Sequence, residues 1–220
     1  MKQLLIKALN LLYENACCIC SNPCQGYSVC KFCENNFVIR SENYLKRVDD
    51  FVVLSWAYYD GKLRQGIINL KNGKKRLANY FGYKLVELWE KILVQIPNKN
   101  IMVIPVPSHK YRIKERGYCQ SSLIAGVFAK KLGLTFSEDL VIRQKETKFM
   151  NNLINIKERK ENIDNAFKLI NPIPKNIEHI ILVDDILTSG STLGELARTI
   201  YRDCSDINLI GVTVASGDKN

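Results

Sequence analysis

HIILVDDILTSGSTLG, residues 179 to 194, combines an apolar run, two adjacent acids and a run of small polar residues. Residues 180 to 183 are apolar without interruption, which is typical of a strand buried in the middle of a parallel sheet. Asp184 and Asp185 fall at the expected carboxyl end of this strand, the edge at which open α/β sheets bind ligands. A helix is predicted to begin near Leu193. The residues between the acids and this helix include Thr188, Ser189, Gly190, Ser191 and Thr192.

The loop and the acids together predict a pocket for a phosphorylated sugar. Gly190 permits a tight turn, and the free backbone N–H groups at the start of the helix suit a phosphate. Adjacent carboxylates repel each other, so they need hydrogen-bond donors or a cation, which a ribose diol with magnesium nearby supplies. The plain alternative is a junction whose acids only cap the helix and face water. The chain has no G-x-x-x-x-G-K-[ST] and no G-x-G-x-x-G, which excludes a P-loop and a dinucleotide site.

Strands and helices are predicted to alternate on both sides of this stretch. Apolar runs predict strands at residues 51–59, 100–107, 166–170 and 207–216, and helical spacing of apolar residues predicts helices at 62–73, 76–96, 121–133 and 192–203. Alternating strands and helices predict an α/β domain with a mainly parallel sheet. Residues 109–117, HKYRIKERG, are expected to form a loop after the second strand.

The composition favours a globular protein with anionic partners. The chain has 220 residues, 46% of them hydrophobic, which suits one sizeable core and excludes a large multidomain machine. Its formal net charge is +10, so nucleic acids, nucleotides and phosphorylated metabolites are favoured ligands. No apolar run has the length needed to cross a bilayer, and residues 1–16 read as an amphipathic helix docked on the body. We therefore predict a cytoplasmic protein without membrane insertion.

Six of the eight cysteines fall within residues 17–33. Cys17 with Cys20, and Cys30 with Cys33, form two C-x-x-C pairs, and two such pairs can hold one tetrahedral Zn²⁺ ion. Metal binding would supply the folding free energy that so short a segment cannot obtain from a core of its own. Cys18 and Cys24 leave the assignment open, since either can replace a neighbour as ligand.

Several motifs, taken in order, resemble one known family. LVDDILTSGST at 182–192 resembles the phosphoribosyl-pyrophosphate-binding motif of the type I phosphoribosyltransferases. With the double C-x-x-C, residues 58–82 and VIPVPSHKYRIKERGYCQ at 103–120, the chain resembles the ComF/GntX family. The resemblance implies a type I phosphoribosyltransferase-like parallel sheet flanked by helices, at residues 51–220. It also implies an N-terminal helix and a small zinc ribbon at residues 1–50.

The resemblance also implies roles for individual residues. Asp184 and Asp185 would be catalytic acids that hold the ribose hydroxyls, and residues 188–192 would hold the 5′-phosphate. Arg112, Arg116 and Gly117 would hold the diphosphate of phosphoribosyl pyrophosphate, which binds with Mg²⁺ as its cofactor. If the protein is an enzyme, it transfers the ribosyl group to an acceptor that the sequence does not identify. The family's usual R-G-F-N-Q has Cys119 in place of its asparagine here, a change that bears on catalysis more than on binding.

A second basic segment offers a different kind of site. Lys71, Lys74, Lys75 and Arg76 follow one another with no acid among them. They form either a solvated helix face or part of a track for single-stranded DNA, on which aromatic residues such as Phe81 and Tyr118 would stack. The family's role in DNA uptake during natural competence makes single-stranded DNA and the competence helicase machinery possible partners. The competing hypothesis to an enzyme is thus a non-catalytic module that senses a nucleotide and binds single-stranded DNA.

Overall fold

A computed structural model describes residues 16–24, 27–40, 45–92, 100–145 and 164–217. Its main strands are β1 Leu45–Val48, β2 Phe51–Tyr58, β3 Ile101–Pro105, β4 Thr135–Phe136, β7 His179–Leu187 and β8 Asn208–Ser216. They form a six-stranded sheet in the order β1-β2-β8-β7-β3-β4. Two further strands, β5 Val141–Arg143 and β6 Phe167–Leu169, pair antiparallel in a small sheet of their own.

Parallel pairing dominates the large sheet. The pairs β2 with β8, β8 with β7, β7 with β3 and β3 with β4 are parallel, and among the described strands of this sheet only β1 with β2 is antiparallel. The prediction of an α/β fold with a mainly parallel sheet flanked by helices is confirmed. The predicted division of the chain at residue 50 stays a prediction.

Helices cover both faces of this sheet. They are α1 Lys31–Asn35, α2 Gly61–Lys71, α3 Arg76–Ile92, α4 Lys110–Arg116, α5 Gln120–Leu132 and α6 Ser191–Tyr201. Because side chains alternate along a strand, Ile181 and Val183 of β7 join the core formed with α2, α3 and α5, while Ile180 and Leu182 join the core formed with α6. Burial on both faces explains why this strand is apolar at every position from 180 to 183.

Two expectations about local structure were wrong, one was met to within two residues, and one lies outside the described residues. β7 continues through both acids to Leu187, because β8 pairs with it as far as Ser216. α6 begins at Ser191, close to the start predicted near Leu193. Residues 110–116 form helix α4 instead of a loop; the side chain of His109 accepts a hydrogen bond from the N–H of Tyr111 at its start. The predicted helix at residues 1–16 lies almost entirely outside the described part of the chain.

The cysteine-rich segment packs on the face that carries α2 and α3. Its residues Ile19 and Cys33 belong to the same hydrophobic core as Phe81. Asn69 of α2 donates a hydrogen bond to the carbonyl of Cys18 over 2.8 Å. Tyr80 of α3 donates one to Glu34 of α1 over 2.7 Å. In the described ranges, no helix has the length and apolar character that a bilayer crossing requires.

Candidate functional site

The two acids lie on β7 just beyond the point at which its pairing with β3 ends. The last pair between β3 and β7 joins Pro105 to Val183, whereas β8 still pairs with Asp184 through Thr213. Asp184 and Asp185 therefore come one step beyond the end of β3, beside a cavity that they line. This is the carboxyl edge of the parallel strands, where ligands bind in open α/β sheets.

The surroundings of Asp184 act on its pKa in opposite directions. Burial, followed by the neighbouring charge of Asp185, raises the pKa of Asp184 to about 7. Two hydrogen bonds to its Oδ1 oppose that rise, one from the hydroxyl of Ser121 and one from the N–H of Asp185, each over 2.8 Å. The site thus stores repulsion between two carboxylates that a bound cation or diol would relieve.

Lys71 is the counter-ion of Asp185. Its ammonium lies 2.6 Å from Oδ2 of Asp185, although the sequence placed Lys71 with a nucleic-acid surface. Burial alone would lower the pKa of Lys71, but the charge of Asp185 and the hydrogen bond to it outweigh burial, so the pKa is raised. The last residue of α2 therefore brings a positive charge into the cavity.

The turn between the acids and α6 has the expected geometry for an anion. Gly190 has a φ of 79°, in the left-handed region that favours glycine, and it is the N-cap of α6. A Cβ at this position would lie 2.9 Å from the side chain of Val48, so the turn is pressed against the end of β1. Ser189 and Ser191 hydrogen-bond each other through their hydroxyls over 2.9 Å. Thr188 and Thr192 line the cavity itself.

Three arginines line the same cavity as the acids. Arg112 and Arg116 come from α4, which ends at Gly117, and Arg143 comes from the end of β5. Burial, with the charge of Arg112 next, lowers the pKa of Arg143 to about 10. Half-buried cations that lie close together favour a bound anion, since an anion would neutralise both of them.

Gln120 adds a neutral donor to the same wall. It is 3% exposed, and its Oε1 accepts a hydrogen bond from Arg116 over 3.3 Å. Its Nε2 is buried and has no hydrogen-bond partner among the described residues. A buried amide donor without a partner is costly, so this N–H₂ group is available to a ligand.

The structure brings most of the predicted ligand residues to one cavity. Its walls include Tyr59, Lys71, Arg112, Arg116, Gln120, Ser121, Arg143, Asp184, Asp185, Thr188 and Thr192. Sequence reasoning missed Arg143 and Ser121, because the docking of β5 and the register of α5 depend on long-range packing. The strand ending at Arg143 is three residues long, which leaves almost no periodic signal.

The predicted nucleic-acid residues separate in space. Lys71 lies in the cavity, whereas Lys74 and Lys75 are exposed after the end of α2. The ammonium of Lys75 lies 4.6 Å above the ring of Tyr118. Phe81 is fully buried and Tyr118 is 7% exposed, so neither offers the free ring face that base stacking requires.

A second, basic groove lies between α3 and α5. Val127 of α5 packs so closely on α3 that a Cβ at Gly82 would lie 2.7 Å from it. Two aromatic rings border the groove: Tyr83 is 45% exposed and Phe136 is 38% exposed. Its lining carries four cations, Lys75, Arg76, Lys130 and Lys131, and one acid, Glu138.

Four cysteines converge at the N-terminal end of the described chain. The Sγ atoms of Cys17, Cys20, Cys30 and Cys33 all lie within 4.8 Å of one another. Burial alone would raise the pKa of Cys17, but hydrogen bonds from backbone N–H groups, that of Cys20 first, lower it to about 6. Such a group of sulfur atoms fits a tetrahedral zinc ion.

Cys18 and Cys24 lie outside this group of four sulfur atoms. The thiol of Cys24 donates a hydrogen bond to the carbonyl of Tyr27 over 2.8 Å. Burial raises the pKa of the Cys18 thiol. Neither cysteine therefore replaces a member of the two C-x-x-C pairs in the cluster that the structure describes.

No protein-family model matches the chain, but curated relatives do. Competence protein F of Haemophilus influenzae is 35% identical over 103 residues, 46% of this chain and 44% of that protein. DNA utilization protein YhgH of Salmonella typhimurium is 32% identical over 110 residues, 50% of this chain and 46% of that protein. Competence protein ComFC of Bacillus subtilis is 27% identical over 200 residues, 87% of this chain and 74% of that protein. The chain thus spans a little under half the length of the first two relatives.

Solved structures that overlap with the chain carry the names of phosphoribosyltransferases. Xanthine-guanine-hypoxanthine phosphoribosyltransferase of Helicobacter pylori has a TM-score of 0.35 at 12% identity, over 61% of this chain and 67% of that one. Hypoxanthine phosphoribosyltransferase of Staphylococcus aureus has a TM-score of 0.33 at 13% identity, over 64% and 62%. Because these TM-scores are low, the fold is described from the chain's own sheet topology and not from these structures.

Proposed function

We propose that the cavity beside Asp184 binds 5-phosphoribosyl pyrophosphate. The homologues of this chain include competence proteins F and ComFC and the DNA utilization protein YhgH. The observation that carries the proposal is the order of groups around that cavity. Two acids, a phosphate-binding turn at the start of α6 and three arginines line one space. These are the partners that a ribose diol, a 5′-phosphate and a diphosphate require.

Each part of the ligand has a chemically matched partner. Asp184 and Asp185 accept hydrogen bonds from the ribose hydroxyls. The backbone N–H groups at the turn of residues 188–192 and the hydroxyls of Thr188 and Thr192 bind the 5′-phosphate. Arg112, Arg116 and Arg143 face the diphosphate, with Gln120 as a neutral donor.

A magnesium ion fits this donor set. Mg²⁺ prefers carboxylate and phosphate oxygens, and it usually arrives with substrate phosphates instead of in a cage built by the protein. Asp184 and Asp185 are the carboxylates that would hold it here, and their mutual repulsion favours a cation. When bound, the ion would neutralise charge on the diphosphate.

Transfer of the ribosyl group is the reaction that such a pocket supports. A nitrogen lone pair would form the bond to C1 of the ribose as the C1–O bond breaks and diphosphate leaves with the electron pair. The chain's contribution would be positioning of the ribose by the acids and stabilisation of the leaving diphosphate by the arginines. A non-catalytic module would use the same pocket to hold the ligand.

The cysteine cluster is proposed to be a structural zinc ribbon. Its four thiols come from two C-x-x-C pairs, and the ligand atoms lie within 4.8 Å of one another. Structural zinc sites of this composition are closed by four protein ligands, which leaves no position for a substrate. The site would therefore stabilise the segment that packs on α2 and α3.

Single-stranded DNA is the second proposed ligand, at the groove between α3 and α5. The relatives are named for competence and for DNA utilization, and the groove combines four cations with the exposed rings of Tyr83 and Phe136. Cations that contact phosphates and rings that stack on bases are the combination that single strands require. In this proposal Tyr83 and Phe136 are the stacking rings, because they are exposed whereas Phe81 and Tyr118 are buried.

Thermal unfolding with and without ligand tests the sugar-phosphate pocket. At a concentration near 100 times Kd, phosphoribosyl pyrophosphate with Mg²⁺ should raise the Tm by roughly 5–10 °C. The double variant Asp184→Asn, Asp185→Asn should lose this ligand-induced rise. The exposed Asp203→Asn variant serves as the matched control and should keep it. Wild-type protein that shows no rise would contradict the proposal.

Fluorescence anisotropy with labelled oligonucleotides tests the groove. Lys130→Gln with Lys131→Gln should weaken binding of single-stranded DNA and flatten its dependence on salt, because phosphate contacts release counter-ions. The control is Lys168→Gln with Lys175→Gln, which removes the same charge from exposed positions elsewhere. Equal losses in both double variants would show that net charge, and not the groove, determines binding.

A further inference from the structure

Lys71 already pairs with a carboxylate oxygen of Asp185 that the proposed ligand would need. Its ammonium lies 2.6 Å from Oδ2 of Asp185, and the side chains are 30% and 12% exposed. Asp184 and Asp185 are the groups proposed to hold the ribose hydroxyls. A hydroxyl that donates to Asp185 therefore has to share or replace the contact that Lys71 already makes.

Tyr118 fixes the end of the helix from which Lys71 extends. Its hydroxyl donates a hydrogen bond to the carbonyl of Leu70 and accepts one from the N–H of Gly73 over 2.9 Å. Tyr118 is itself buried and belongs to the R-G-Y-C-Q segment, which also contains Arg116. The backbone around Lys71 is therefore anchored to the segment that supplies a cation to the proposed diphosphate site.

The side chain of Lys71 can move although its backbone is anchored. A lysine carries a compact charge on a flexible four-carbon stem, so its ammonium can change partners without movement of the helix. Arg112, Arg116 and Arg143 line the same cavity as Lys71, so the cavity favours the phosphate groups of a ligand. Such a phosphate offers the ammonium a second partner of the same sign as Asp185.

We propose that Lys71 is an exchangeable counter-ion: it neutralises Asp185 in the free protein and transfers its ammonium to a ligand phosphate when the ribose hydroxyls bind Asp185. This inference rests on the proposed function of the pocket and adds a reason for the pocket to select ligands that carry a diphosphate. A ligand with a diphosphate receives the displaced ammonium. A ligand with only the 5′-phosphate leaves the half-buried charge of Lys71 with a poorer partner, which costs free energy.

The exchange predicts opposite effects of one substitution on two ligands. Lys71→Gln removes a charged partner of the diphosphate, so the Kd of phosphoribosyl pyrophosphate should rise about tenfold or more. The same substitution frees Asp185 for the hydroxyls of ribose 5-phosphate, whose Kd should stay the same or fall. A lysine with only a structural role would weaken both ligands in parallel.

Isothermal titration calorimetry with both sugar phosphates and Mg²⁺ tests this directly. Wild type, Lys71→Gln and the exposed control Lys74→Gln are titrated with each ligand, and the ratio of the two Kd values is compared. The control should keep the wild-type ratio, and Lys71→Gln should lower the preference for the diphosphate about tenfold. An unchanged ratio in Lys71→Gln overturns the exchange. If the wild type binds neither ligand, the proposed function itself fails, and the exchange fails with it.

A second pair of variants removes the risk that a lone Asp185 prevents folding. Asp185→Asn with Lys71→Gln leaves neither charge behind, and Asp185→Asn alone leaves the lysine in place. The lysine without its carboxylate should retain the preference for the diphosphate, and the double variant should lose it. Equal preferences in these two proteins would also overturn the exchange.

Discussion

The cysteine cluster and the acid pocket both bring together groups that repel one another when they are charged. The two sites differ in how that negative charge is balanced. At the cluster, four sulfur atoms converge, and backbone N–H groups donate hydrogen bonds to the sulfur of Cys17. At the pocket, Lys71 lies 2.6 Å from Asp185 and three arginines line the same cavity as the acids. In our proposal the cluster takes its cation from outside the chain, whereas the pocket already has one in Lys71.

The difference separates a structural site from an exchangeable one. Four thiolates around one divalent ion complete a tetrahedral shell, which leaves no place for another ligand. An ion pair with a flexible lysine leaves both partners able to bind something else. The cluster should thus contribute mainly to the free energy of unfolding, and the pocket mainly to binding.

Loss of one metal ligand should have the largest effect on stability. Cys33→Ser removes a buried thiol of the cluster, so zinc content should fall from about one ion per chain to near zero. Because zinc binding supplies folding free energy to the segment, the unfolding free energy should fall by several kcal/mol. Zinc stoichiometry and thermal unfolding measure the two effects.

Cys24→Ser is the matched control for that variant. Cys24 is similarly buried but lies outside the group of four, and a serine can keep its hydrogen bond to the carbonyl of Tyr27. Full zinc content in Cys24→Ser and loss in Cys33→Ser would assign the ligands. Equal zinc loss in both would contradict the assignment.

A substitution in the phosphate-binding turn should have the next largest effect. Gly190→Ala places a side chain in the left-handed region and 2.9 Å from Val48, so the unfolding free energy should fall by about 3 kcal/mol. The turn must shift to relieve this contact, and the ligand-induced rise in Tm should shrink. Chemical denaturation and thermal shift measure stability and binding separately.

Gly133→Ala provides the control for backbone strain. Gly133 has a φ of 66° but nothing within 4 Å of an added Cβ, and it ends α5 away from the cavity. It should lose about 1 kcal/mol and keep full ligand binding. If both alanine variants bind phosphoribosyl pyrophosphate as the wild type does, the turn does not hold its phosphate.

The raised pKa of Asp184 predicts a dependence of stability on pH. The folded protein holds the proton of Asp184 more tightly than the unfolded chain does, because its pKa is about 7 when folded. Its contribution to stability is therefore present at low pH and is lost as the pH rises from about 4 through about 7. Asp184→Asn stays neutral and should have a Tm several degrees above wild type at pH 8, with little difference near pH 4.

Scanning calorimetry from pH 4 to pH 8 measures that difference. The exposed Asp203→Asn variant should follow the wild-type curve throughout. An Asp184→Asn protein that is less stable than wild type at pH 8 would mean that Lys71 and Ser121 stabilise the charged carboxylate more than burial penalises it.

The parts of the site that lie within one motif could be predicted from the sequence, and the parts that meet through tertiary packing could not. The apolar run before Asp184 and the turn at Gly190 are local signals, since burial and backbone conformation select the residue types directly. Arg143 reaches the cavity from the end of a three-residue strand, and its sequence context carries no trace of that contact.

Lys71 shows that a run of basic residues need not share one surface. It stands in a basic run, but it is the last residue of α2, and the direction of the helix end sends it to Asp185 while Lys74 and Lys75 face solvent. Residues 110–116 were misjudged for a related reason. Their clustered charges suggested a loop, although arginine, lysine and glutamate are good helix formers and Gly117 is a typical helix end.

The smallest expected effect concerns the attachment of the cysteine-rich segment at residues 17–33, here called the cysteine module, to the part of the protein that contains the pocket. Tyr80→Phe removes the hydrogen bond from α3 to Glu34 while the aromatic contacts with Phe37 and Trp56 remain. Loss of that bond should cost about 1 kcal/mol in denaturant unfolding and speed the release of zinc to a chelator. Tyr83→Phe on the same helix, whose ring is exposed, should change neither quantity. Faster zinc release without a change in global stability would mean that the module opens by itself, whereas parallel changes would mean that module and body unfold as one unit.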